Sequence, residues 1–261
     1  MTHGKGKDYI LKKLLAAVCA ASMLALSGCS FDPTSYNVMH SYNFAEMELV
    51  QLQPPKEGDT IAVFDTSMGE IRIVLYPEYA PNTVNGFVEK AQSGYYDGME
   101  VFGILDDIYF LSGYTVDEDG NYLGRQSDDE LIVNECHQNL WPFRGALVGF
   151  SEKPGYSDAR WFICNTDEET LTEAAIEELK HSAAEREDEK ERENLIALFD
   201  KFYEVGGVFG AAGTYTVFGQ TYQGLEVIEE ICAVPTNDEN RPTTEIIINS
   251  VTITEYTETE E

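Results

Sequence analysis

The chain has 261 residues, 43% of them hydrophobic, which is enough to bury a core in one or two domains and too much for a disordered polymer. Its 47 acidic residues against 17 basic ones give a formal net charge of −30. Such a surface excludes nucleic acid as a partner and disfavours anionic headgroups, leaving basic partners or plain solubility.

Lys5, Lys7, Lys12 and Lys13 precede the apolar run "LLAAVCAASMLAL", which is too short to span a membrane as a mature helix and is built as a secretory signal. The following "LSGC", Leu26 to Cys29, resembles a bacterial lipobox. That likeness implies removal of residues 1–28, diacylation of Cys29 and a chain anchored to the cell membrane on its extracytoplasmic face. The mature chain would carry 13 basic and 46 acidic residues, a charge of −33. Cys19 leaves with the signal, so Cys136, Cys164 and Cys232 remain, an odd number that allows at most one disulfide and favours buried thiols. Cys136-His137 has no further ligand in sequence range, and neither a metal site nor a cofactor is expected.

Residues 29–57 show no clear period and read as a spacer, with a short strand near Glu48 to Leu52 and a boundary at Pro54-Pro55 and Gly58. Residues 58–257 read as the folded domain, followed by an acidic tail at 258–261. Two alternating runs, Ile61 to Asp65 and Glu70 to Tyr76, flank Ser67-Met68-Gly69 as a hairpin. Pro81 opens a helix on which Val84, Phe87, Val88 and Ala91 share a face, and Gly94 stops it. "GYYDGMEVFGILDDIYFLSGYT", Gly94 to Thr115, follows as an apolar strand, an Asp106-Asp107 turn and a second apolar strand, with no Arg, Lys, His or Gln. Asp119-Gly120 marks a solvated turn; Tyr122 stands where a calcium-binding EF-hand loop needs glycine.

Further strands are expected at 145–150, 160–165, 214–222 and 244–256, with a short amphipathic helix over 224–231. Between residues 167 and 206 the composition turns strongly acidic. Thr170 with Glu173 fits a capping box, apolar faces mark both ends, and Ser182 to Asn194 has almost nothing to bury. Two helices, or one long frayed helix, are expected as an insertion. Many short strands with two helical caps predict a mainly β fold built as a closed antiparallel barrel.

The patches "TSMGEIRIVLYPEYAPNTVNGFV", "GYYDG", "FRGAL", "WFICN", "TVFG" leading to "GLEVIEEI", and "RPTTEIIINSVTI" resemble, in this order, the cyclophilin family of peptidyl-prolyl isomerases. The resemblance implies an eight-stranded antiparallel barrel capped by two helices, acting on proline-containing peptide or unfolded exported protein as a monomer. An isomerase must stabilise an X-Pro amide that has lost its resonance, at a barrier of about 18–20 kcal/mol, so a cationic donor beside the prolyl nitrogen is needed. It must also grip the ring in an apolar pocket.

Laid on this chain, the family's arginine falls on Gly103, its pocket phenylalanine on Ile108, its methionine on Tyr109 and its glutamine on Leu111. A second glutamine becomes Arg160, the proline-pocket phenylalanine is kept as Phe162, and the histidine becomes Tyr215. The backbone-binding Ala-Asn pair aligns poorly around Phe150 and Ser151. The resemblance therefore leaves two readings of the groove open, beside a third in which the groove binds nothing and the acidic insertion alone does the work. One is a binder with a groove of Phe162, Ile108, Leu111 and Tyr215, weak or inactive as an isomerase. The other is an active isomerase in which the Arg160 guanidinium stands in for the missing arginine. The structural alternative for Arg160 is a solvated rim residue paired with a carboxylate.

Overall fold

The computed structural model describes residues 38–105, 108–114, 131–166 and 172–258. Cys29, the Asp106-Asp107 and Asp119-Gly120 turns and Thr170 lie outside the described residues. β1 (Thr60–Thr66) and β2 (Gly69–Leu75) form the expected antiparallel hairpin. Thr66 closes it: its hydroxyl accepts from the backbone N–H of Met68 and Gly69 at 3.1 and 3.0 Å and donates to the Gly69 carbonyl at 2.7 Å. α1 (Pro81–Gln92) begins at proline, whose missing N–H costs nothing at a helix start, and buries Val84, Phe87 and Ala91.

β3 (Met99–Glu100), β4 (Gly103–Leu105), β5 (Tyr109–Ser112), β7 (Ala146–Gly149), β9 (Trp161–Cys164), β10 (Val217–Gln223) and β11 (Ile247–Glu255) join the hairpin in one sheet, ordered β3-β11-β1-β2-β10-β7-β9-β5-β4. A two-stranded ribbon pairs β6 (Ile132–Val133) with β8 (Tyr156–Ser157). The two ends of the large sheet are consecutive parts of one run, residues 99–105. Its first half pairs with β11 and its second half with β5, so the sheet curls back on itself. Counted as one strand, that run gives the eight expected. Closure is incomplete, however, because no continuous ladder crosses the seam; loop carbonyls take the freed donors, Ile104 N–H to Asn240 at 2.8 Å and Val101 N–H to Ile246 at 2.9 Å.

Alternation along the strands sends Phe64, Ile71, Ile73, Phe110, Leu147, Trp161 and Ile163 into the barrel interior, where α1 and α4 (Leu225–Cys232) cover its ends. Each such side chain adds about 1.5–3 kcal/mol on burial.

The acidic stretch folds as two helices, α2 (Glu173–Ala184) and α3 (Glu189–Val205). Thr172 caps α2 by accepting from the Ala175 N–H, and Asp188 caps α3 by accepting from Glu191 N–H at 2.8 Å. Arg192 closes the turn between them by donating to the carbonyls of Arg186 and Glu187.

Residues 38–53 differ from the expected spacer and strand. They run as three single-turn 3-10 helices, at Met39–Ser41, Phe44–Glu46 and Val50–Leu52, strapped across the insertion. Met39, Phe44 and Met47 enter a second core with Trp141, Phe143, Ile176, Leu179, Leu198, Phe199, Phe202 and Phe209. Backbone polarity is met at long range: Asn194 donates to the Phe44 carbonyl at 2.7 Å, and Gln51 donates to the Trp141 carbonyl at 2.8 Å while accepting from its N–H. The physical reason is mutual need. Half-apolar helices and an aperiodic strap each lack a partner face until they meet.

Candidate functional site

Strand register places the aligned residues in one row across five strands. Gly103 of β4 pairs with Leu111 of β5, Leu111 with Phe162 of β9, Phe162 with Val148 of β7, and Val148 with Val217 of β10. The next residue on β5, β9 and β7 points the other way, into the barrel, so this row belongs to the outer face. A third apolar cluster builds there around Leu140, Val148, Phe162, Ala211 and Val217.

On the row Gly103 contributes no side chain, and Phe162 is only 3% exposed. Rings surround it: Tyr109 at 4.9 Å between centroids, Tyr215 at 5.9 Å and Phe150 at 6.5 Å, with Phe150 stacked on Tyr215 at 6.0 Å. Leu111, Tyr109, Phe150 and Tyr215 are half-buried and form the visible wall. Burial pushes the Tyr109 hydroxyl above its ordinary range, with Tyr215 and Cys164 adding to the shift. Ile108 is not brought into this cluster. It sits at the β4–β5 turn, where its N–H donates to the Leu105 carbonyl at 2.7 Å and its carbonyl accepts from Asn165 at 2.8 Å. Tyr109 and Phe150 are the wall residues the sequence pattern did not single out as groove. Alternation on β5 alone sends Tyr109 to the face of Leu111.

Arg160 lies beside this wall but is neither solvated nor aimed at the row. Its residue exposure is 2%. Nε and Nη2 donate to the two oxygens of Asp158 at 3.1 and 2.7 Å, and Nη1 donates to Glu152 at 3.2 Å. The guanidinium carbon stands 4.9 Å from the Tyr114 ring centre and 5.0 Å from that of Phe150. Burial alone would lower its pKa, but the hydrogen bonds and charge of Asp158, then the hydrogen bond to Glu152, outweigh it and the net shift is upward. The cation is fixed in a fork-to-fork pair between aromatic faces.

Glu135, which no pattern in the sequence marked, organises the floor. Its carboxylate accepts from the backbone N–H of Asn82 and Thr83 at 3.1 and 2.8 Å and from both their side chains, capping α1 from outside the helix. Its own N–H donates to Thr216, next to Tyr215. Among the described residues Cys136, Cys164 and Cys232 form no disulfide, and burial pushes the Cys136 thiol up to about 12. Among the described residues no group of three His, Cys, Asp or Glu side chains could hold a metal ion.

This architecture can be compared with known proteins. The sequence model of the family described as cyclophilin type peptidyl-prolyl cis-trans isomerase/CLD matches residues 61–253, most of the chain. The chain belongs to the cyclophilin family. A candidate peptidyl-prolyl cis-trans isomerase of Staphylococcus aureus strain USA300 is 25% identical over 206 residues, 77% of this chain and 94% of that protein. A candidate bifunctional phosphatase/peptidyl-prolyl cis-trans isomerase of Streptococcus pyogenes serotype M6 is 27% identical over 212 residues, 80% of this chain and 42% of that larger protein. Among solved structures, a cyclophilin type isomerase of Cryptosporidium parvum superposes with a TM-score of 0.53 at 17% identity, covering 77% of this chain and 99% of the other. A structure of that protein in the presence of the dipeptide Ala-Pro gives 0.51 at 16% identity over 74% and 98%. These two likenesses bear on the fold alone.

Proposed function

We propose that this cyclophilin acts as an extracytoplasmic, lipid-anchored monomer that binds proline-containing segments of exported polypeptide and isomerises them weakly or not at all. The observation that carries the reading is the five-strand row itself: glycine occupies the position aligned with the family's arginine, and the neighbouring guanidinium of Arg160 is already committed to Asp158 and Glu152. Loss of a preorganised charged donor removes about 2.7–4 kcal/mol of transition-state stabilisation, or roughly 10²–10³ in rate. What remains is an aromatic wall of the kind that holds proline rings. The signal and lipobox of residues 1–29 support export and anchoring.

The test is isomerisation of an Ala-Pro peptide by residues 30–261 beside a standard cyclophilin. A rate within tenfold of the standard overturns the binder reading. In that case Arg160→Ala decides whether its guanidinium is the donor, since an unchanged rate eliminates it. Binding is followed by NMR titration with proline peptides, with shifts expected at Phe162, Tyr109 and Tyr215.

A further inference from the structure

Charged residues make up a quarter of the chain, yet residues 38–45, 136–143 and 208–216 contain no Asp, Glu, Lys or Arg. The fold draws these three distant segments together. Val38 N–H donates to the Gly213 carbonyl at 2.8 Å, Asn43 N–H to the Gln138 side chain at 2.7 Å, and Val208 N–H to the Pro142 carbonyl at 2.8 Å. Their outward residues include His40, Ser41, Asn43 and Gly210, all exposed, and half-buried Tyr215 of the aromatic wall. A collar with no charged residue of its own, edged by Glu46, Glu48 and Glu135, thus surrounds Val38, on a molecule of net charge −30.

We infer that this collar is the face the protein rests on a lipid bilayer, with the aromatic wall held at its edge, so that the polypeptide it takes is one lying at or emerging from the membrane surface. The inference rests on the lipid-anchor reading proposed above. Val38 lies nine positions after Cys29, a reach of at most about 32 Å when fully extended. A globule of some 220 residues has a radius of gyration of about 17 Å and so a diameter of about 44 Å. Such a tether, attached at the collar, is too short to let the opposite wall touch the bilayer. The collar also offers half-buried Tyr42 and Tyr215 as interfacial rings. The opposite wall, where Asp65 and Asn249 are exposed on β1 and β11, stands four and three strands respectively round the curled sheet from β9.

The experiment uses the full lipidated chain, in a Cys136→Ser background, on phosphatidylcholine vesicles containing a headgroup quencher, at one protein per vesicle. A fluorophore is attached at Ser41→Cys or at Asn249→Cys. Quenching severalfold stronger at position 41 is expected. Equal quenching at the two positions, or stronger quenching at 249, overturns the orientation while leaving the anchor intact. Failure of the chain to float with vesicles at all overturns the anchor reading and the orientation with it. In a second series at several proteins per vesicle, energy transfer between labels at position 41 that grows with surface density and abolishes the quenching identifies a second copy as the occupant, and also overturns the inference.

Discussion

Asp158 and Arg160, two residues apart on the approach to β9, form a two-pronged ion pair with both side chains out of solvent, at 4% and 1% exposure respectively. A pair of this kind contributes little relative to a well-packed apolar replacement, but breaking it leaves a buried carboxylate without its counter-charge. Arg160→Met is therefore expected to cost about 3–5 kcal/mol. The double variant Asp158→Asn with Arg160→Met should recover much of that loss. Urea unfolding at constant m-value measures both. Equal midpoints for Arg160→Met and the parent would contradict a structural role for this cation.

The vacancy on the row can be filled directly. Gly103 does not have a positive φ, and a Cβ built on it meets only Leu111, at 3.4 Å from Cδ1 and 3.9 Å from Cβ, ordinary contact distances. Gly103→Arg should fold and place a guanidinium beside Leu111 and Phe162. If the donor is what the site lacks, isomerisation of an Ala-Pro peptide rises by at least about tenfold, part of the 10²–10³ that such a group supplies. A folded variant with unchanged rate shifts the blame to the crowding rings of Tyr109, Phe150 and Tyr215.

How much of this was legible in the sequence depends on the range of the interaction. The hairpin, α1, the apolar strands and the terminal strand follow from periods of two and 3.6 and from Pro and Gly punctuation, and their observed limits differ from expectation by one to three residues. Residues 38–53 have no period because they bury against several separate segments, so their side chains answer to partners 90 to 169 positions away. The row of Gly103, Leu111 and Phe162 was readable through family likeness and alternation. The fate of Arg160 was not: Asp158 stands in plain view two residues earlier, but one acidic neighbour among 47 has no special weight until a turn aligns the two forks.

Glu135 gives a sharper example of a long-range device. Its carboxylate serves two of the unpaired N–H groups at the start of α1 and both adjacent side chains. Glu135→Ala is expected to destabilise the fold by about 1–2 kcal/mol, the usual worth of a capping side chain. Hydrogen exchange should accelerate first at the amides of Asn82 and Thr83. A loss spread evenly over the barrel would argue against a capping role.

The strap makes a separate prediction. Gln51 is 4% exposed and joins Trp141 backbone to Gln220, so Gln51→Ala leaves buried groups of both without a partner and should cost about 1–3 kcal/mol. Phe44→Ala removes a ring packed 6.3 Å from Trp141, at about 3–5 kcal/mol. Both variants should red-shift tryptophan emission, because Trp141 loses its cover while Trp161 stays inside the barrel. An unshifted spectrum with unchanged stability would mean that the strap does not hold the insertion.

His137 supplies a pH dependence whose sign follows from its contacts. Its ring lies 4.7 Å from that of Tyr79, and Nδ1 accepts from the backbone N–H of Asn139 at 3.1 Å, so the neutral imidazole fits and the protonated one loses its acceptor. Burial lowers its pKa below the ordinary 6.5, and the nearby charge of Glu78 only partly opposes this. A histidine depressed in the folded state contributes fully above 6.5 and loses that contribution as the pH falls toward its folded pKa. The His137 resonance should titrate below 6.5 by NMR, and His137→Asn should flatten the decline in urea midpoint between about pH 7 and 5.5. A midpoint above 6.5 would show Glu78 winning over burial and would reverse the sign of the effect.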